Sequence, residues 1–455
     1  MPRWRRYFLP LPDTISRPRL AWLILIQEVR GLLMSPALWT MLIVVSLLVG
    51  YSFLQAVDLF SRASRTALSY SELARGMNPL EGIFVPMFGA YYLSQTLLLP
   101  FIAIRLVGLD KQSGVLKLLL QLRLSTFSLC SLKIMAMGLV WGISMIPAAV
   151  ALTFWYQLGG HIFVPELAVL LAGHGLYSLV VITIAMFAAT ISDSLPTAAM
   201  LCLAATLGLW VLDFAASGHG GILGILGRFS LTGMLRQFEN GLLSTGYVAV
   251  FLALALLFFM LTVIWLHPGR RLFAKTGKSV VAMGLLGIGA AMAILSPRYM
   301  DVTENRRHSF NPAATRALRQ LTGPLTMTIH LDAQDSRLLD LEQGVLARLR
   351  RSVQKLNIRY ASSSSTGLFQ AAGSDEYGLI QYEYGGKNDQ SYSDSENEIL
   401  SIIYHLAGIK VVPDPVPDYK GYPLVADASK CRWWFYLYLP LIFLCIGGYR
   451  YRGKW

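Results

Sequence analysis

The chain has 455 residues, of which 55% are hydrophobic and only 14% are charged, and its mean hydropathy is +0.51. Soluble domains carry about 25% charged residues, so this composition excludes an ordinary soluble protein. The net charge of +13 does not indicate a nucleic-acid partner, because Lys and Arg lie beside apolar runs rather than along one soluble surface. The four cysteines have neither CxxC nor His-linked spacing, so neither a disulfide framework nor a metal site is predicted.

The first predicted element is an amphipathic helix. The segment RPRLAWLILIQEVRGLLMSP (Arg17–Pro36) is too charged to cross a membrane, yet it carries regularly spaced Leu and Ile residues. We expect it to lie along the inner membrane surface, the alternative being an ordinary cytoplasmic lead-in. The basic start is followed by no small-residue cleavage site, so no removable signal peptide is expected.

Eight apolar runs follow, and crossing a bilayer takes roughly 20 residues. The predicted spans are Ala37–Val57, Ile83–Ile104, Ile134–Phe154, Leu167–Ile191, Thr197–Ala216, Tyr247–Leu266, Val280–Leu295 and Trp433–Tyr449. The sequence therefore predicts an α-helical polytopic membrane protein with about eight transmembrane helices.

The distribution of basic residues predicts the orientation of these spans, because Lys and Arg favour the cytoplasmic side. With the N-terminus inside, 18 Lys and Arg residues fall on the cytoplasmic side and 5 in the opposite short loops. We expect a bacterial inner-membrane protein with both termini in the cytoplasm. The predicted divisions begin with an N-terminal segment (1–36), a six-span part (37–266) and a basic linker (267–279). A seventh span (280–295), a soluble domain (296–432) and a last span with a basic terminus (433–455) follow.

The soluble segment, residues 296–432, alternates strand and helix patterns. PLTMTIHLD, NIRYAS and GLIQYEY are typical of strands, and RLLDLEQGVLARLRRSVQKL has helical apolar spacing. Ser395–Gly408 begins with a Ser-x-x-Glu capping box and ends on glycine, Gly385–Gly386 is a predicted turn, and Ser362–Gly367 is a predicted surface loop. This order favours a small extracytoplasmic α/β domain between the last two spans.

Two short segments resemble phosphate-binding loops, but each lacks a required residue. AKTGKS (Ala274–Ser279) has Leu272 where the first glycine is needed, and the near-match from Gly448 has Trp455 where Ser or Thr should bind magnesium. We interpret both as basic membrane anchors and expect no ATP binding and no cofactor in this chain.

The remaining ionisable residues show no catalytic spacing, so no enzyme is predicted. Within the spans, we interpret His174 as a helix–helix hydrogen-bonding residue and Asp213 as an interface residue, although such residues also mark proton pathways. In the soluble segment, His330, Asp332 and His405 are assigned surface or packing roles.

The segment after the second predicted span, RLVGLDKQSGVLKLLLQLRLSTFSLCSLK, together with the amphipathic helix and six spans, resembles the permease subunit of type-2 ABC exporters. The matching positions are Asp110, Lys111, Gly114, Leu118, Leu119, Ser125 and Lys133; the departures are Val115, Lys117, Arg123 and Leu132. In that family the segment docks on the ATPase. The resemblance implies ATPase-coupling roles for Asp110, Lys111, Gly114, Lys117 and Leu118. Phe229–Leu266 is similar to the family's outer re-entrant segment leading into the sixth span.

The later segment MDVTENRRHSFNPAATRALRQLTGPLTMTIHLD resembles the auxiliary subunit of gliding-motility-type ABC transporters. It supplies Asp301, Thr303, Glu304, Ser309, Thr315, Leu318, Leu321 and Pro324. The two resemblances imply a fused permease and auxiliary domain whose partners are an ABC ATPase, a second permease copy and membrane lipids, with ATP and Mg²⁺ in the ATPase. The alternative is a non-transporting scaffold that couples ATPase cycles to an envelope partner through residues 296–432.

Overall fold

The computed structural model describes residues 16–216, 230–267, 269, 271–295, 298–331, 335–361, 377–410 and 419–452. The predicted loop Ser362–Gly367, Asp332 and Trp455 lie outside these residues, as does the side chain of Asp213.

The protein is a multi-pass membrane protein. Seven helical segments among the described residues are long and apolar enough to cross a bilayer: Pro36–Ala67, Leu80–Ser113, Thr126–Gln157, Val164–Ile191, Thr245–Leu266, Leu272–Ile294 and Ser429–Arg450. The predicted fifth span corresponds to a helix over Leu195–Ala216. Its apolar part, Leu195–Val211, is shorter than the seven segments above and is therefore not among them.

Twelve helices make up the part before the soluble domain, within the residues described. They are α1 (Arg17–Leu33), α2 (Pro36–Ala67), α3 (Ser71–Arg75), α4 (Val85–Ser113), α5 (Val115–Leu119), α6 (Thr126–Ser144), α7 (Ile146–Gln157), α8 (Val164–Ile191), α9 (Leu195–Ala216), α10 (Leu231–Glu239), α11 (Thr245–Leu266) and α12 (Leu272–Leu295). A π-helical turn, Leu80–Phe84, leads into α4. Proline occupies the first turn of α2, α4, α7 and α8, where its missing N–H costs no hydrogen bond.

Several helix boundaries differ from the prediction, and the sequence explains two of the differences. The third span is divided at Met145, because Pro147 in the first turn of α7 cannot donate to the preceding turn. The seventh begins at Leu272 rather than Val280, because Lys275 and Lys278 are good helix formers and their charges can remain at the membrane surface.

The chain crosses repeatedly between two ends of the helix bundle. We call the end containing α1, α5 and the α8–α9 connection the elbow end, and the end containing α3, the α7–α8 connection and α10 the sheet end. The helix α9 starts at the elbow end, where Leu195 packs on Gly108. The next described segment, which contains α10, lies at the sheet end.

The soluble domain is a four-stranded sheet with helices on one face. Its elements are β2 (Tyr299–Asp301), α13 (Pro312–Arg319), β3 (Leu325–Ile329), α14 (Ser336–Leu341), α15 (Ala347–Ser352), β4 (Leu356–Tyr360), β5 (Ile380–Tyr384), β6 (Lys387–Ser391) and α16 (Glu396–Ala407). A π-helical turn, Glu342–Leu346, joins α14 to α15. The strand order is β4-β3-β5-β6, with β3 and β4 parallel and the other pairs antiparallel. A separate strand, β1 (Leu242–Ser244), pairs with β2.

Alternation along the strands explains the domain core. Leu325, Met327 and Ile329 of β3 are buried with Ile380 and Tyr382 of β5 and pack with the buried faces of the helices. Gly385 and Gly386, both with positive φ, form the predicted turn between β5 and β6.

The predicted capping box at the start of α16 is wrong, although the helix does begin after Ser395. Ser395 occupies the N-cap position, but its side chain makes no capping hydrogen bond. Its expected partner Glu398 instead accepts a hydrogen bond from Ser391 at the end of β6. The helix ends, as expected, on Gly408 in the left-handed conformation.

The last helical segment follows the sheet. A 3₁₀ turn (Ser429–Cys431) and a π-helical turn (Trp434–Tyr438) lead into α17 (Leu439–Arg452). This segment returns to the elbow end, where Gly447 lies against the Trp39 side chain of α2.

Candidate functional site

The candidate coupling site is at the elbow end, where α4 ends and α5 begins. Gly114 joins the two helices with φ of +77°. An L-residue with a side chain is strained in this left-handed conformation, whereas glycine adopts it freely. The glycine therefore ends the long helix and redirects the chain into the short one.

The short helix α5 exposes an apolar and basic tip. Leu116 is buried and holds α5 to the bundle, while Val115, Lys117 and Leu118 are exposed, Leu118 to 64%. Exposed apolar side chains beside a cation form a surface suited to docking another protein. Lys117 and Leu118, two of the predicted coupling residues, lie at this tip.

A buried ion cluster ties three helices together beneath the tip. The Lys133 ammonium of α6 is 2.6 Å from the Glu28 carboxylate of α1 and 2.5 Å from that of Asp110 of α4, and it donates to the Leu106 carbonyl at 2.9 Å. Lys133 is 2% exposed. Burial raises the pKa of Glu28, and the Lys133 ammonium opposes that rise. We call Glu28, Asp110 and Lys133 the Lys133 cluster.

Lys111 fastens the other side of the same region. Its ammonium is 2.9 Å from the Asp193 carboxylate and donates to the carbonyls of Thr190 and Ser192 at 3.1 and 2.8 Å. These carbonyls lie at the end of α8, where a cation stabilises the helix dipole. Asp110 and Lys111, two of the predicted coupling residues, thus have partners within the chain.

The structure therefore gives the five predicted site residues three different positions. Asp110 and Lys111 fix the base, Gly114 makes the bend, and Lys117 and Leu118 are presented at the tip. Sequence reasoning missed the roles of Glu28 and Lys133. The available signal was that Glu28 is the only acidic residue of α1 and Lys133 the only charged residue of α6.

The glycine–lysine–serine segment lies within helix α12 and does not form a loop. Lys275 donates to the Trp265 carbonyl at 2.9 Å, and the Trp265 indole N–H donates to the Ser279 hydroxyl at 3.1 Å. These contacts fasten the start of α12 to the end of α11. A phosphate-binding loop would need its backbone N–H groups free, whereas those in a helix interior are bonded.

Helix α10 reaches into the bundle from the sheet end. Phe238 packs on Gly173 of α8, Tyr92 and Thr232 share a hydrogen bond of 3.0 Å, and His174 lies 3.3 Å from the Glu239 carboxylate. His174 thus lies against a neighbouring helix, but within the described residues neither of its ring nitrogens forms a hydrogen bond, so the predicted helix–helix hydrogen bond is wrong. Its position on α8 places α10 at membrane depth.

A polar joint connects the bundle to the soluble domain. Its members are Glu81, His161 and Glu166 from the sheet end and Glu304, Arg307 and Tyr422 from the soluble domain and the segment after it. The Arg307 guanidinium is 2.6 Å from the Glu81 carboxylate, and the Glu304 backbone N–H donates to Glu166 at 2.9 Å. His161 stacks on Tyr422 with ring centroids 3.7 Å apart, and both contact the Glu304 carboxylate.

The segment 419–428, which we call the strap, crosses the same surface on its way to the last span. Tyr422 N–H donates to the Met77 carbonyl at 2.9 Å, Leu424 N–H to the Ser64 hydroxyl at 2.9 Å, and Ala426 N–H to the Ser61 hydroxyl at 3.2 Å. The soluble domain is therefore held at both its beginning and its end.

Acid is expected to destabilise the folded chain through His308, which lies next to Arg307 of the joint. Burial, followed by the neighbouring Arg307, lowers the pKa of His308 from 6.5 to about 4, and its ring accepts a hydrogen bond from Arg307 at 3.2 Å. Asp301 raises this pKa, whereas Arg348 and Arg351 lower it further. Below pH 6.5 the unfolded chain binds a proton that the folded chain rejects, so stability falls as the pH falls. At pH 5 the expected loss is about 2 kcal/mol.

Thermal unfolding of the detergent-purified chain at pH 7.5 and pH 5 measures this loss. We expect Tm to decrease from pH 7.5 to pH 5 by a few degrees less in His308→Gln than in the wild type, because glutamine cannot be protonated. His405→Gln, whose ring is largely exposed, is the control and should behave like the wild type. An unchanged decrease in His308→Gln would contradict the assignment.

No protein-family model matches the chain, and no curated protein and no solved structure matches it.

Proposed function

We propose that the chain is the permease subunit of an ABC transporter of the exporter type, in the bacterial inner membrane with both termini in the cytoplasm. ATP and Mg²⁺ are then bound by a separate ATPase subunit, and two copies of the chain form the transport unit. The observation that supports this most directly is the exposed tip of α5 above the Lys133 cluster.

The geometry explains how such a tip would transmit movement. Helix α5 continues from α4 through Gly114, and the Lys133 cluster links α4 to α1 and α6. A displacement of α5 by a docked protein would therefore act on three helices together. Packed contacts with discrete arrangements are what carry conformational coupling.

Replacing Leu118 with aspartate is expected to remove the ATPase partner. A carboxylate at the centre of a docking surface would have to lose its water without a matching cation, which costs several kcal/mol. We expect MgATP hydrolysis in eluates of the affinity-tagged chain, purified from its native host, to fall at least tenfold.

Leu68→Asp is the matched control, because Leu68 is 63% exposed but lies at the sheet end. That variant should retain the hydrolysis activity. Equal activity in the two eluates, with equal amounts of inserted chain, would refute the assignment of α5 as the docking helix.

A scaffold that transmits force to the cell envelope without transport is the second candidate, and the joint and strap favour it. Both ends of the soluble domain are fastened to the bundle, so movement of the spans would displace the domain directly. The two candidates differ in one measurement. A transporter's hydrolysis rate should rise with its cargo, whereas a scaffold's should not respond to any exported compound.

A further inference from the structure

One face of the soluble sheet is covered by no element that the structure describes, and its side chains are polar throughout. Alternation directs Leu325, Met327 and Ile329 of β3 to the helices and leaves Thr326 and Thr328 on the opposite face. The same holds for the neighbouring strands, where every position on this face that is in register with these threonines is polar.

The strand register arranges these side chains in two rows across the sheet. The first row is Asn357, Thr326, Glu383 and Asn388. The second row is Arg359, Thr328, Gln381 and Gln390. Neighbouring strands lie about 4.8 Å apart, so each row extends roughly 14 Å, and two residues along a strand separate the rows by about 7 Å. We call these eight side chains the polar face.

The polar face lines a groove and keeps its hydrogen-bonding groups available. An open cavity of about 410 Å³ is bordered by six of its members, from β3, β5 and β6. Among the residues that the structure describes, none of the eight side chains forms a hydrogen bond or an ion pair with a neighbour. Four amides and two hydroxyls thus present both donors and acceptors.

The chemistry of the polar face excludes most classes of ligand. The polar face carries one cation, Arg359, and one anion, Glu383, and of these two only Glu383 borders the groove. The groove therefore lacks the basic footprint that phosphate-bearing polymers require. It carries no aromatic or aliphatic anchor of the kind that forms the centre of a protein interface. A ligand that satisfies it must be near neutral and dense in hydroxyl and amide groups.

We propose that the polar face binds a neutral polysaccharide that bears hydroxyl and acetamido groups. Sugar hydroxyls both donate and accept, and acetamido groups pair with Asn and Gln in the same manner as amides pair with one another. A row of four strands spans a few pyranose rings. This inference depends on the proposed function in one respect: the soluble domain must lie on the outer side of the membrane, where envelope polysaccharides occur.

Calorimetric titration of the full chain in nanodiscs with chitotetraose, a neutral oligomer of N-acetylglucosamine, tests the proposal. We expect weak saturable binding, because no aromatic ring stacks on the sugar. The double variant Thr328→Val/Gln381→Leu removes two neighbouring polar groups at nearly constant volume and should weaken binding at least tenfold. Absence of binding by the wild type at millimolar chitotetraose would refute the proposal.

Two further variants separate the polar face from general effects on folding. Asn397→Leu changes an exposed amide on α16 and should leave binding unchanged, and Thr328→Ser keeps the hydroxyl and should retain it. Equal binding by the double variant would overturn the proposal. The proposal would also be overturned if the double variant lost self-association but kept chitotetraose binding. The polar face would then be a contact between copies of the chain.

Labelling with a membrane-impermeant maleimide distinguishes failure of this proposal from failure of the proposed function. In a Cys445→Ser background, Lys355→Cys should react in spheroplasts and Lys117→Cys only after lysis. Both lysines are exposed, one in the soluble domain and one on α5. The reverse pattern would refute the topology and with it both proposals. The expected pattern without chitotetraose binding would refute only the polysaccharide site.

Discussion

Replacing Lys133 with methionine is expected to destabilise the chain more than any other single charge removal at the elbow end. The change leaves the carboxylates of Glu28 and Asp110 together in a largely buried site without their shared cation. Removing one partner of a buried ion pair costs about 3–5 kcal/mol. We expect Tm in detergent to fall by roughly 10 °C and binding of the proposed ATPase partner to be lost.

Two comparisons make this result specific to the Lys133 cluster. Lys117→Met removes an exposed lysine of the same region and should not change Tm. The triple variant Glu28→Gln/Asp110→Asn/Lys133→Met removes all three charges while keeping hydrogen-bonding groups, and it should recover most of the lost stability. A Lys133→Met variant that melts like the wild type would show that the cluster does not hold the helices.

Replacing Gly421 with alanine is expected to release the strap. Gly421 has φ of +72°, and a Cβ there would lie 1.7 Å from the Ala74 carbonyl oxygen. Backbone cannot rotate aside as a side chain does, so the strap must lift and lose its bonds to Met77, Ser61 and Ser64. We expect trypsin cleavage at Lys420 and Lys430 to accelerate more than tenfold.

Gly408→Ala provides a matched comparison for the strap. Gly408 has a similar φ of +68°, but no atom lies within 4 Å of the added Cβ. Its cost is therefore only the left-handed backbone strain of about 1–2 kcal/mol. Equal trypsin rates in the two variants would show that strain alone, and not the contact with Ala74, explains the Gly421 effect.

Local patterns in the sequence predict much of the fold. A span requires only a continuous apolar run, and a strand with one buried face requires only alternation, so both were recognisable without knowledge of contacts. Strands β1 and β2 were not predicted, because three residues are too few to show alternation. The capping box failed because Glu398 finds a partner in β6, outside the local segment.

The candidate site was only partly predictable for a related reason. The family resemblance assigned coupling roles only to residues between 110 and 118, which lie close together in sequence. In the Lys133 cluster, Glu28 lies 105 positions from Lys133 in the sequence and Asp110 lies 23 positions from it. The joint pairs Glu166 with Glu304. No spacing rule in a single sequence relates such distant positions. Their charges were visible in the sequence, but their proximity arises only from helix packing.

The attachment of the soluble domain at both ends changes how strong its contacts need to be. The joint is polar and consists of few contacts, and as an interface between separate subunits it would dissociate readily. Because α12 and the last helical segment hold the domain covalently, its effective concentration at the bundle surface is high. The contacts can break and re-form during a conformational cycle without loss of the domain, and each bundle always carries one copy of it.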